Sequence, residues 1–403
     1  MSAILKCWGD NSSYQLNTGD DRSKSTPIDV AFEGFSRPVH AEAGGYATCM
    51  VNDDGEDNLK CVGENRYGGL GAGPTTNDPV KTPVPSMIGL KAKIAKMKMG
   101  FLHSCVITSE EVAYCSGRNH KGQLGNDSTT DTSLPVAVVL EGSTKIYDVS
   151  VGDAHTCLVS KARNILCMGH NEFGQLGLAN NVDQNKAALV TLAGTAVIVN
   201  QLSCGYAHTC IVNDLYKVLC TGYNRWGQLG VDDEVNRNQF TLISNPGNDA
   251  SYAARKVAAA RRHTCILLTN ALVYCMGNGD SYYGLLGNGE TVGSNVPVKV
   301  TIPEGVIPAD IASGDHHSCI STNDVNVIYC WGIDWFGNLG NGSTIYKNIP
   351  TLVKGLDFPP TTVSPTTAAP TTASPTIVAP TTAAPTIAAP ASVSTLFLHF
   401  ELN

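Results

Sequence analysis

The residues of this chain best able to do chemistry are cysteines, histidines and glycines, and they recur in a fixed pattern. In CTGYNRWGQLG (220–230) a cysteine stands ahead of three glycines and a tryptophan. That composition suits a nucleophilic thiol or a glycine-rich phosphate cradle. A phosphate cradle needs a helix behind it and Lys-Ser/Thr after its last glycine, and neither is present here. A nucleophile is needed once, yet near-copies of the stretch open at Cys61, Cys115, Cys167, Cys275 and Cys330, with a worn copy at Cys7. Successive steps are 54, 54, 52, 53, 55 and 55 residues. A cysteine placed in every unit belongs to the architecture rather than to catalysis.

A second motif interleaves: GFLHSC, GDAHTC, GYAHTC, ARRHTC and GDHHSC set His103, His155, His208, His263 and His317 at one position, while GGYATC carries Ala47 there. Each lies ten to twelve residues ahead of a copy of the first motif, cysteine to cysteine, giving six complete units and one leading half unit. The pairs are Cys49/Cys61, Cys105/Cys115, Cys157/Cys167, Cys210/Cys220, Cys265/Cys275 and Cys319/Cys330. This separation, with a turn midway, puts two cysteines opposite each other on adjacent antiparallel strands, about 4.5 Å apart at Cα. Six cross-strand disulfides are predicted, each worth roughly 3 kcal/mol in the chain-entropy account. Buried reduced cysteines acting as apolar fillers are the alternative. Zinc fits poorly, since each unit offers two Cys and a His that lies two residues from a Cys along a strand. The histidines are expected to bond local backbone at a turn, because equivalent positions around an axis lie too far apart to share an ion. No catalytic residue, metal or cofactor is assigned. Cys7 and Cys204 are left without partners.

The elements that position these residues are short strands. In KIYDVSVGDAHTCLVSKARNILCMGHNEFGQLG, a β-branched run stops at glycine, then TCLVS and NILCMG flank a polar turn. A variable loop and a fourth run such as AALVTLA follow. Four strands in about fifty residues, without helical periodicity, make a propeller blade that must bury its faces against its neighbours. The expected class is all-β: a seven-bladed β-propeller of four-stranded blades over residues 1–357, its first blade incomplete. The leucine of each G-Q-L-G should point between blades. So should the aromatic of N-x-[aromatic]-G, at Tyr67, Phe173, Trp226 and Phe336.

Residues 358–403 form a tail with a proline at every fifth position from Pro360 to Pro390, too polar to build a core. It reads either as an O-glycosylated stalk or as a plain linker. Net charge is −8 and charged residues are 15%, which disfavours a nucleic-acid partner. No run of eighteen apolar residues suggests a membrane span. Because the half unit lacks its first two strands, further residues are expected upstream. They would supply a cysteine for Cys7 and a signal peptide.

The recurring C/W-G-x-N-x-x-G-Q-L-G, preceded by G-x-x-H-T/S, resembles the repeat of the regulator of chromosome condensation family over about 350 of 403 residues. The resemblance implies a seven-bladed propeller. It also brings the family's variety of roles: nucleotide exchange on a small GTPase, parts of ubiquitin ligases, and secreted binding proteins. The exchange factors carry a wedge-like hairpin, for which steps of 52 to 55 residues leave no room. Cysteine pairs are a second departure from the nuclear members.

Disulfides imply an oxidising compartment, and Asn11, Asn126 and Asn341 open N-x-S glycosylation sequons. The expected function is a non-enzymatic, extracellular or cell-surface scaffold, monomeric, binding a protein partner through loops such as GVDDEVNRNQF and GAGPTTNDPVK. A cytoplasmic GTPase regulator is the second reading. A carbohydrate-active enzyme with a channel site is the third. Arg261 and Arg262, which replace other residues in one copy of the second motif, mark the irregular spot to probe.

Overall fold

The computed structural model describes residues 5–356, apart from 36–37, 54, 56–57, 76, 193–194, 279–282 and 325–326. The Pro/Thr tail lies outside the described residues.

Six four-stranded antiparallel sheets follow one another along the chain, here called blades 1 to 6. Blade 4 shows the plan: Val199–Cys204, His208–Asn213, Val218–Gly222 and Arg237–Leu242 pair in sequence order. The pattern follows from its residues. Second strands such as HTCIVN are apolar on both faces because a blade packs against a neighbour on each side. Fourth strands carry the polar, exposed edge, and several hold a proline there, as in VKTPVP, TSLPVA and KNIPTL.

First strands line a central cavity of about 470 Å³, which takes residues from all six blades. Their inner edge is covered by polar side chains of the preceding blade. Ser150 Oγ accepts from the Cys204 amide, and Gln201 Oε1 and Ser203 Oγ accept from the amides of Val257 and Ala259.

The half unit forms a two-stranded sheet, Leu5–Gly9 with Lys24–Val30. It packs on blade 1 through Cys7, Leu16, Met50 and Val62. It meets blade 6 through Trp8, whose Nε1 donates to the Asn338 carbonyl at 2.9 Å, 330 residues away. The ring is thus joined across the first and last units.

The G-Q-L-G elements seat one blade on the next. Leu70, Leu124, Leu176 and Leu229 are fully buried. At Gly174 (φ +85°) a Cβ would lie 2.3 Å from Cα of Asn238 in the next blade, so only glycine permits this approach.

Outside the blades, the described residues contain one further hairpin, Thr191–Leu192 with Thr195–Ala196, after blade 3. Leu192 packs onto the core between blades 3 and 4.

Candidate functional site

The side chains that recur from repeat to repeat form joints between blades. His155 Nε2 lies 2.9 Å from Thr209 Oγ1 in the next blade, and that hydroxyl donates to the Gln175 carbonyl at 2.8 Å. His103 with Thr156 and Gln123 repeats the relay, as does His208 with Thr264 and Gln228. His263 meets Ser318 at 2.8 Å. In the three threonine relays the hydroxyl gives its proton to a carbonyl, so the imidazole must carry its own on Nε2. Burial lowers the pKa of these four rings to about 3, so they stay neutral. The expected bond to local backbone is therefore corrected: the ring reaches across the blade interface.

Antiparallel order places the loops after first strands and after third strands on one face of the disc. The residue two places before the histidine position stands at the cavity mouth there: Gly45, Phe101, Asp153, Tyr206 and Asp315 line it, and Arg261, which follows Ala260 in blade 5, reaches Tyr206 and Asp315. Repeat symmetry fixes the backbone at this position, while the side chains differ in charge and shape. Arg261 lies 4.8 Å over the Tyr206 ring and 3.6 Å from Asp315. Burial raises Asp315 to about 7; Asp153's charge adds to that and Arg261 opposes it. Burial also raises Asp153. His316 is lowered to about 4 by burial and then by Arg261 and Arg262.

Farther along the channel, acids and bases match between blades. Glu42 pairs with Lys98 at 2.8 Å, Asp148 with Lys96 at 3.2 Å and Asp310 with Lys256 at 2.7 Å.

An aromatic band runs outward from the mouth. Phe173 and Tyr223 stand 4.8 Å apart, Tyr223 and Trp226 5.2 Å, and Arg262 caps Trp226 at 4.6 Å. Of the turn aromatics expected between blades, half-buried Tyr67, Phe173 and Trp226 each meet a side chain of the next blade, Arg118, Tyr223 and Arg262, whereas Phe336 is 40% exposed, as is its neighbour Trp335 at 52%.

The cysteine pairs Cys49–Cys61, Cys105–Cys115, Cys157–Cys167, Cys210–Cys220, Cys265–Cys275 and Cys319–Cys330 are disulfides, with Cα atoms 4.1 Å apart. Cys7 and Cys204 are buried free thiols, and burial pushes Cys204 up to about 12. Sulfurs of Cys204 and Cys157 and a ring nitrogen of His155 lie within 4.8 Å of one another, but Cys157 is held in its disulfide.

Two sequons do not suit a glycan in the folded chain. Asn11 is fully buried, its Nδ2 donating to Thr18 and Asp20 and its Oδ1 accepting from the Leu16 amide. Asn341 is also buried, its Oδ1 accepting from the Ser343 amide. Asn126 is partly exposed. The asparagine of the first motif has a local task instead. Asn224 Nδ2 donates to the carbonyls of Asp233 and Val235 and so closes the exposed loop GVDDEVNRNQF.

The mouth ring escapes a motif search because only Asp153 and Asp315 of its six residues are alike. Aligning the copies beneath one another exposes it, since variation at a fixed position inside an otherwise constant turn is the signal.

The comparisons place this architecture. The ultraviolet-B receptor UVR8 of Arabidopsis thaliana is 25% identical over 360 residues, spanning 88% of this chain and 79% of that protein. The E3 ubiquitin-protein ligase HERC2 of Homo sapiens is 27% identical over 356 residues, but the match is only 7% of the ligase's length. Among solved structures, human WBSCR16 superposes with a TM-score of 0.77 at 20% identity, covering 86% of this chain and 94% of that one. Yeast RCC1 (Prp20), solved with Kap60, gives 0.75 at 19% identity, covering 88% and 84%. These structures share the fold. The RCC1-like domain family matches residues 4–370, and this chain belongs to it.

Proposed function

We propose that this propeller is a non-enzymatic scaffold that binds a protein partner through the face at the cavity mouth, outside cells or on their surface. The observation that carries the reading is the Phe173–Tyr223–Trp226–Arg262 band, continuous across blades 3 to 5, with exposed Trp335 on the same face. Rigid aromatics and arginine supply most binding energy at protein interfaces because they bury large areas at little entropic cost. Protein recognition on this fold has a precedent in Prp20p of Saccharomyces cerevisiae, described with its binding to Gsp1p and histones. Six disulfides favour an oxidising compartment. The exchange-factor reading finds little support, since the extra hairpin after blade 3 is short and packs its Leu192 inward.

The test is binding to an array of extracellular and surface proteins. Trp226→Ala/Arg262→Ala/Trp335→Ala should abolish the captured interaction while leaving the thermal midpoint nearly unchanged. Lys161→Ala/Arg163→Ala, on the opposite face, should leave binding intact. The reverse outcome would reject the mouth face as the interface.

A further inference from the structure

We infer that the cavity mouth is a receptor for a guanidinium or alkylammonium group, seated at Asp153 between Phe101 and Tyr206. This rests on the mouth face being the recognition surface and names the chemistry recognised there.

The chain itself displays the chemistry two steps around the ring. Arg261 places its guanidinium 4.8 Å over Tyr206 and 3.6 Å from Asp315. A carboxylate beside an aromatic face therefore already holds a guanidinium at this mouth. Asp153 lines the same mouth between Phe101, whose ring packs on Tyr46, and Tyr206, the ring that Arg261 covers from the other side. Among the described residues Asp153 has no ion pair, whereas Glu42, Asp148 and Asp310 deeper in the channel each have a lysine within 3.2 Å. The charge acting most on Asp153 is that of Arg261, which is itself held 3.6 Å from Asp315; Arg118, stacked over Tyr67 at 5.1 Å, and His170 act after it.

A desolvated carboxylate without a close cation gains most from one delivered by a ligand. Aromatic walls attract that cation further through their ring faces. A cavity of about 470 Å³ accommodates a group the size of an arginine or lysine side chain. The cation could arrive on a partner's surface or on a free small molecule.

The experiment is titration calorimetry on the intact, oxidised chain at pH 8. Probes are n-butylguanidinium, its neutral counterpart n-butylurea, and the capped tripeptides Ala-Arg-Ala and Ala-citrulline-Ala. Guanidinium probes should bind at least roughly tenfold more tightly than the ureas. Asp153→Asn should erase that preference, with an unchanged thermal midpoint. Arg261→Met should strengthen binding, because it removes the chain's own competing cation. A purely structural role for Asp153 would not produce that gain. Stronger binding of the tripeptide than of butylguanidinium identifies a peptide source, and the opposite order a free small molecule; either supports the site. Equal binding of charged and neutral probes, or no effect of Asp153→Asn, overturns it. In that case a partner still lost on Trp226→Ala/Arg262→Ala/Trp335→Ala would leave the scaffold reading standing.

Discussion

His155 of blade 3 and Thr209 of blade 4 are joined by a 2.9 Å hydrogen bond between side chains that are both fully buried. The bond recurs at the four joints from blade 2 to blade 6, where the imidazole bonds to the next blade's second strand. Blade 1 is the exception, because Ala47 occupies the histidine position and blade 2 answers with Ser104, which donates to the Gly69 carbonyl.

Thr209→Val removes the hydroxyl while keeping the shape, and leaves both His155 Nε2 and the Gln175 carbonyl without a partner. The expected cost is about 1–3 kcal/mol for each stranded group. Adding His155→Phe should cost less than the sum of the two single changes, because one of those groups disappears. Thermal unfolding of the two single variants and the double variant checks this.

Acid should weaken the fold, and the sign follows from the rings. The four relay histidines titrate near 3 when folded, against an ordinary 6.5, so the unfolded chain binds more protons between those values. Stability is fully present above pH 6.5 and falls by about 1.4 kcal/mol per pH unit for each histidine as pH drops toward 3. Asp315 and Asp334, raised by burial to about 7 and about 6, act oppositely: the folded chain holds their protons longer and gains from mild acid. Four rings outweigh two carboxyls below pH 6. The thermal midpoint should therefore drop steeply between pH 6 and 4, and His103→Phe should make that slope shallower.

The blade plan was readable in the sequence because each unit repeats it. Strand order, the buried Leu176 and the opposition of Cys157 and Cys167 all follow from alternation and spacing within one unit. The partner of His155 was not readable. Its acceptor is 54 residues on, and spacing alone does not say which neighbour a ring faces. Phe336 departs from the expectation that Trp226 meets for a related reason: a turn aromatic looks the same in sequence whether it reaches the next blade or caps a surface. Asp153, Tyr206 and Asp315 stayed hidden because function there resides in differences among repeats, and a repeat search discards differences. Only Arg261 stood out.

Thiol chemistry should divide the cysteines sharply. Six disulfides leave Cys7 and Cys204. Both are buried and their pKa values are raised by burial, so a thiol reagent should modify neither at neutral pH in the native state. Unfolding without reductant should expose two thiols, and reduction all fourteen. Cys210→Ala/Cys220→Ala opens a link of sequence separation 10, at an expected cost of about 2–3 kcal/mol. Twelve or more thiols without reductant would contradict the oxidised fold.

Ring closure should depend on Trp8. Its indole is fully buried against Cys319, Cys330 and Leu339 of blade 6 and donates to the Asn338 carbonyl. A Cβ on Gly340 would come within 2.8 Å of the indole Nε1, so the two surfaces already fit without spare room. Among the described residues, Trp8 is the member of its two-stranded sheet in the apolar cluster shared with blade 6, which gives this contact a large share of the closure. Trp8→Ala should cost about 3–5 kcal/mol from lost burial and the stranded carbonyl. The loss should be local. Hydrogen exchange should rise first in Leu5–Gly9, Lys24–Val30 and the third and fourth strands of blade 6, while blades 3 and 4 keep their protection. Uniform loss of protection would mean that the ring unfolds as one unit and that closure is shared evenly around it.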